Sequence, residues 1–355
     1  MKTKSLLAAF AAALMLTTSV DVTYGQQAPP PRMIGDFSVD AATSAPLRLV
    51  KRARLNASPT TVFGLLEKYE AMPKWLPVLS QVTCDRSASG GTNGVGTERF
   101  CSLKNGVSVK EAIVGYEAGK LIAYSVSNDN PMGLSNHLAV ATVETDGAGG
   151  TLLSWRQYFD HAQADQTTAM MDTMIDAGFQ KLVKGYGGGA FETSHGLTDM
   201  KVVQRLVVDA TPEDVWNVLG RDFGGVDKWA SFVPKAELST AAGGGTIRAC
   251  STPLGDMREA VTKYDESARQ LAYRVEAGLP PIVAEAVNDW DVTPTGDGRS
   301  TVVMSLSIKM QDGVPATVAE GVRENFAGVT RNFVDELRHF VETGKPHPRK
   351  LAASS

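Results

Sequence analysis

Two arginine–glutamate pairs are the residues best placed to do chemistry. Side chains alternate along a strand, so each apolar set shows which polar residues share its inward face. Val107, Val109 and Ile113 share parity with Glu111, and Met257 and Val261 share it with Glu259. One strand earlier, Val95, Thr97, Cys101 and Leu103 share parity with Arg99, and Arg248 holds the matching place. Arg99 and Glu111 each lie six residues from Asn105, and Arg248 and Glu259 straddle Pro253-Leu254 in the same way. Each pair is therefore expected to face directly across a hairpin, close enough for a charge-assisted hydrogen bond. A lone buried charge costs several kcal/mol, so an inward Arg and an inward Glu demand each other. Two readings stand. The pairs are ion pairs that fix sheet geometry, or each Arg meets an anionic or carbonyl group of a ligand while its Glu holds the guanidinium.

The same parity places Tyr124 with Ile122 and Val126, Tyr273 with Leu271 and Val275, and Trp155 with Leu153 and Phe159. Asn288 and Trp290 take the places of Ala139 and Ala141, so two cavities built this way differ in shape. His137 shares the face of Ala139 and Ala141 near the start of its strand, at an expected cavity mouth. A neutral imidazole there can serve as acid or base, as can Glu111; a structural His is the other reading. The loops Asn130–Gly133 and Gly278–Pro281 precede these strands and can gate the mouth. Cys84 and Cys101 are equidistant from the Gly90–Gly94 turn region, so a disulfide between them is weighed against free thiols, with Cys250 left unpaired. No Cys-x-x-Cys pair or His spacing indicates a metal, and no motif indicates a cofactor.

The elements that must position these residues occur twice. Asn56-Ala-Ser-Pro-Thr-Thr-Val-Phe-Gly-Leu-Leu66 is answered 153 residues later by Asp209-Ala-Thr-Pro-Glu-Asp-Val-Trp-Asn-Val-Leu219. Lys74-Trp75 is answered by Lys228-Trp229. Gly96-Thr-Glu-Arg-Phe-Cys101 and Leu121-Ile-Ala-Tyr124 are answered 149 residues later by Gly245-Thr-Ile-Arg-Ala-Cys250 and Gln270-Leu-Ala-Tyr273. Each half opens with an alternating strand and a Ser-Pro or Thr-Pro helix cap, continues through strands separated by turn residues, and closes with a helix. Met171, Met174, Phe179 and Leu182, and Val318, Val322, Phe326, Val329, Phe333 and Leu337, give those helices one apolar face. Flexible Met170, Met171 and Met174 are expected at the cavity side of the first.

These residues resemble the SRPBCC superfamily of START-like helix-grip proteins, and within it the bacterial polyketide cyclase/dehydrase-like proteins. The resemblance implies an α+β fold of two tandem helix-grip domains. Each would be a curved antiparallel seven-stranded sheet wrapped on a long C-terminal helix, with a mostly apolar cavity between them. The expected division is a signal peptide over 1–25, a linker over 26–45, domains over 46–188 and 200–345 separated by a linker over 189–199, and a tail over 346–355. Lys2 and Lys4, the apolar run Leu6 to Leu16 and small Gly25 carry the signal-peptide reading. It implies a periplasmic or secreted protein without stable membrane insertion after cleavage.

Of the 355 residues, 43% are hydrophobic and 21% charged, which allows two domain-sized cores and excludes a disordered chain. Thirty-five Lys and Arg against thirty-nine Asp and Glu leave no basic excess for phosphates, so nucleic acid is not expected as a partner. The expected function is an exported binding or transport protein for a hydrophobic or amphipathic small molecule. The ligand-facing residues would be Arg99, Glu111, Tyr124, His137, Trp155, Arg248, Glu259, Tyr273, Asn288 and Trp290. The alternative is a cyclase/dehydratase-like enzyme acting on a polyketide or aromatic substrate, with Glu111 or His137 as base.

Overall fold

The computed structural model describes residues 31–146 and 149–353, so the expected signal peptide lies outside the described residues. The chain divides into two compact units, residues 31–197 with 203–206, and residues 198–202 with 207–353.

In the first unit, β1 (Leu47–Leu55) leads into helix α1 (Pro59–Leu66), where Ser58 accepts the Thr61 N–H at 3.2 Å and Pro59 occupies the first turn. A tight 3-10 turn, Tyr69–Lys74, is followed by strands β2 (Leu79–Asp85), β3 (Glu98–Leu103), β4 (Ser108–Glu117), β5 (Leu121–Val126), β6 (Ser135–Thr145) and β7 (Thr151–Asp160). Helix α2 (Ala164–Tyr186) and strand β8 (Ala190–His195) complete the unit. The antiparallel order is β8-β1-β7-β6-β5-β4-β3-β2. Met171, Ile175, Phe179 and Leu182 recur at helical spacing on α2 and bury against the inner face of this sheet.

Three expectations about connecting segments are corrected here. Residues 189–199 are not a plain linker, because Ala190–His195 pairs with β1 and adds an eighth strand. Its polar composition is buried because β1 presents buried charges for it to meet. Glu192 lies opposite Arg52 and forms an ion pair with it, while Thr193 accepts a hydrogen bond from Lys51 Nζ at 2.9 Å. Gly188 makes the turn possible: its φ is +106°, and a Cβ there would sit 2.0 Å from the Arg54 carbonyl oxygen. Within the expected linker 26–45, Met33–Ile34 pairs with Phe37–Ser38 and a short helix spans Val39–Ala42. Val39 and Ala45 are buried with Val50, Ala123, Leu138, Val140 and Tyr158, covering the sheet's second apolar face. The expected tail contains a helix, Pro348–Ala353, whose Lys350 Nζ donates to the Val233 carbonyl at 2.9 Å.

In the second unit, β9 (Asp199–Val208) leads into helix α3 (Pro212–Trp216), capped by Thr211. Strands β10 (Lys235–Thr240), β11 (Thr246–Thr252), β12 (Gly255–Asp265), β13 (Gln270–Ala277), β14 (Val283–Pro294) and β15 (Ser300–Met310) precede helix α4 (Ala316–Thr343). The order β9-β15-β14-β13-β12-β11-β10 repeats that of the first unit without its eighth strand. Both units are helix-grip domains. No helix among the described residues is long and apolar enough to cross a membrane.

Candidate functional site

The hairpin arithmetic is realised in both units, with Arg99 opposite Glu111 and Arg248 opposite Glu259. Arg99 and Arg248 are 2% and 4% exposed. Each guanidinium is stacked between two rings: Arg99 between Tyr69 and Tyr124 at 4.7 and 4.4 Å, Arg248 between Phe223 and Tyr273 at 3.8 and 4.8 Å. Tyr69 and Phe223 come from equivalent 3-10 turns, Tyr69–Lys74 and Phe223–Lys228.

The two arginines differ in how completely they are satisfied. Arg248 Nε donates to Glu259 Oε2 at 2.7 Å and its Nη1 to the Phe223 carbonyl at 3.0 Å. Arg99 Nη2 lies 2.7 Å from Glu111 Oε2 without hydrogen-bond alignment, Nη1 reaches only Met72 Sδ at 3.6 Å, and Nε has no partner. The Cys101 thiol also donates to Glu111 Oε2, at 3.3 Å, and the Cys250 thiol to Glu259 Oε2, at 3.5 Å, so that in both pairs the contacts gather on Oε2 and Oε1 accepts no hydrogen bond. Burial, followed by the Glu111 charge, pushes the Cys101 thiol well above its ordinary range.

Among the described residues, the space between sheet and helix is much larger in the first unit than in the second. A cavity of about 90 Å³ lies between the sheet and α2, with apolar walls including Trp75, Leu79, Val109, Val126, Leu134, Trp155, Met171 and Ile175. Its polar lining comes from Glu111, Tyr124, His137, Gln157 and Cys101, whereas Arg99 stands behind the Tyr69 and Tyr124 rings and does not line it. Leu76, Val78, Met132 and Met174 are half-buried and give an apolar rim. In the second unit the corresponding void is about 10 Å³, too small to hold more than one water. Trp229, Trp290 and Phe333 fill it, with Phe333 5.0 Å from the Trp229 ring and 6.4 Å from Trp290. Trp290, opposite Met304, takes up the room that Ala141, opposite Trp155, leaves open.

His137 is not at the mouth. It is 4% exposed, with Nδ1 accepting the Val126 N–H at 3.2 Å and Nε2 2.9 Å from Gln157 Oε1. A backbone N–H only donates, so Nδ1 carries the lone pair and Nε2–H donates to Gln157. Both ring nitrogens are spent, and burial lowers the His137 pKa. Of the two readings of His137, this geometry is that of the structural one: the ring orients Gln157. Burial, with the Glu111 charge next, pushes the Tyr124 phenol well above its ordinary range, and the phenol stays protonated.

Of the residues expected to face a ligand, Glu111, Tyr124, His137 and Trp155 meet at one cavity. Arg248, Tyr273 and Trp290 line only the filled remnant, Glu259 is held by Arg248, and Asn288 is buried opposite Tyr273. Gln157 and Tyr69 were missed. Gln157 shares the parity of Leu153, Trp155 and Phe159, which was the signal for it. Tyr69 lies outside the strands, where parity has no force. Met170 is 44% exposed and turned away from the cavity. Val95, assigned inward, sits in the loop before β3 and is exposed.

Of the two readings of Cys84 and Cys101, the structure has the free thiols, and Cys250 is free as well. Cys84 lies opposite Arg99, whereas Cys101 lies opposite Val82, two residues out of step with a bridge. The loop between β2 and β3 folds on itself, with Arg86 held by Asn93 and Glu70, so its midpoint does not set the strand register.

The model of the polyketide cyclase / dehydrase and lipid transport family matches this chain twice, over residues 46–186 and 199–342. The chain belongs to this family. Among solved structures, this family member is similar to the di-domain ARO/CYC BexL from the BE-7585A biosynthetic pathway, with 12% identity over 83% of this chain and 99% of that one and a TM-score of 0.36. It is also similar to the di-domain ARO/CYC StfQ from the steffimycin biosynthetic pathway, with 12% identity over 82% and 98% and a TM-score of 0.34. A START superfamily protein from Mycobacterium smegmatis shows 13% identity over 41% of this chain and 99% of that one, with a TM-score of 0.34. No curated protein matches. Membership in the family and the helix-grip fold make this a ligand-binding protein for hydrophobic small molecules.

Proposed function

We propose that the chain is an exported carrier whose first domain holds a hydrophobic or amphipathic small molecule, and whose second domain is a filled copy that holds none. The observation that carries this reading is the contrast between the two equivalent cavities, about 90 Å³ in one and about 10 Å³ in the other. The open one has an apolar rim, and two of its walls, Trp75 and Trp155, have buried indole N–H groups without a partner. Export rests on the amino-terminal pattern and implies cleavage after Gly25.

Native mass spectrometry of the protein purified from the exported fraction tests both parts. The expected result is a chain beginning at Gln26 with a bound small molecule that organic solvent releases. Recovery of the uncleaved chain in the cytosol opposes export, and a consistently ligand-free chain opposes the carrier reading.

The enzyme alternative retains one specific support, the juxtaposition of Glu111 and the protonated Tyr124 phenol in the open cavity, a possible base and acid. A turnover screen on polyketide and aromatic substrates, comparing the wild type with Glu111→Gln, separates the readings. Turnover that falls at least about 100-fold in the variant favours the enzyme.

A further inference from the structure

The open cavity presents one member of its ion pair and hides the other. Glu111 lines the cavity, and its Oε1 accepts no hydrogen bond from the protein. Arg99 is 2% exposed, covered by the rings of Tyr69 and Tyr124, with its charge turned to the back of the carboxylate. This reverses the role expected from the sequence, in which the arginine meets the ligand. We propose that Glu111 is the ligand's polar anchor, that Arg99 is the positioning residue holding it, and that the cavity selects apolar molecules ending in a hydroxyl over carboxylates. The proposal rests on the carrier reading and names the chemical class of its cargo.

A hydroxyl suits this end of the cavity because it both donates and accepts. Its hydrogen goes to Glu111 Oε1, and its oxygen accepts from the Tyr124 O–H. An ether accepts but has no hydrogen for Glu111, leaving the carboxylate oxygen without a donor. A carboxylate sets a second negative charge beside Glu111 within apolar walls, where like charges are least tolerated. No cationic side chain lines the cavity to offset it.

The test uses the mature full chain, freed of endogenous ligand, and three probes with one tail: 1-decanol, decyl methyl ether and decanoate. Their affinities are measured near neutral pH by displacement of a fluorescent apolar reporter and by native mass spectrometry. Decanol is expected to bind about tenfold more tightly than the ether and at least about tenfold more tightly than decanoate. Glu111→Gln is expected to bring decanol and decanoate within about threefold of each other, since the amide keeps the shape and removes the charge. Glu259→Gln, the same change beside the filled void, is expected to leave the wild-type ranking unchanged.

Decanoate binding as tightly as decanol to the wild type overturns the anchor assignment and leaves the carrier reading intact, and this needs no variant to fold. Persistence of the full preference in a folded Glu111→Gln protein, or its loss in Glu259→Gln, overturns the assignment to Glu111. Failure of all three probes to bind overturns the carrier reading and the inference with it.

Discussion

His137 is an imidazole whose surroundings have taken away its chemistry. Val126 N–H occupies one nitrogen, Gln157 the other, and burial disfavours the cation. Its folded pKa lies below the ordinary 6.5, so below about pH 6.5 the unfolded chain takes up a proton that the folded chain refuses. Stability is therefore full above that pH and falls as pH drops toward the lowered folded value. Thermal melts at a series of pH values should show His137→Gln losing less stability than the wild type between about pH 6.5 and pH 5, even though the variant starts lower. Equal slopes would remove His137 as the source. The residue-scale placement of Arg99, Glu111 and Tyr124 was legible because alternation and a short hairpin fix both face and partner. The roles within the pair were not, because which side of an ion pair faces a cavity depends on the rings stacked over it, and Tyr69 arrives from a turn that alternation does not govern.

At the scale of elements, the position of α2 decides the size of the cavity, and one lysine ties that helix to the sheet. Lys51 is 1% exposed on β1, and its Nζ lies 2.5 Å from both Asp172 and Asp176, one turn apart on α2. Thr193 on β8 supplies a third partner and Phe191 a ring 4.7 Å away. Lys51→Met removes the charge and keeps the stem, leaving two carboxylates side by side. Because both are about 30% exposed, water relieves part of the cost, and urea unfolding should show a loss of about 1–3 kcal/mol. Asp172→Asn should cost less, since Asp176 still holds Lys51. The order of strands and the two closing helices were legible from capped helix starts and periodicity. Strand β8 was not, because Ala190–His195 carries no apolar alternation. The clue lay in β1 instead: Lys51 and Arg52 are adjacent charges on opposite faces of a central strand, and both must find partners when buried.

At the scale of the whole chain, duplication brings two domains, and the proposed carrier reading gives a binding site to one of them. The two sheets share strand order, and the two arginine sandwiches share geometry, so the fold itself does not distinguish the halves. The difference lies in a few side chains: Trp290 and Phe333 occupy the second interior, and Arg248 has found a carbonyl as well as its glutamate. Each glutamate leaves one carboxylate oxygen idle, but only that of Glu111 borders open space; Glu259 does not line the filled void. Titration of the full chain with 1-decanol should accordingly saturate at one molecule per chain. Two molecules per chain would mean that the second interior opens in solution, and the assignment of cargo to the first domain would fall. Trp290→Ala sharpens the test. Removing a buried indole should cost about 3–5 kcal/mol in the second domain and leave a cavity there. If side-chain volume alone closed that domain, the variant should bind a second molecule.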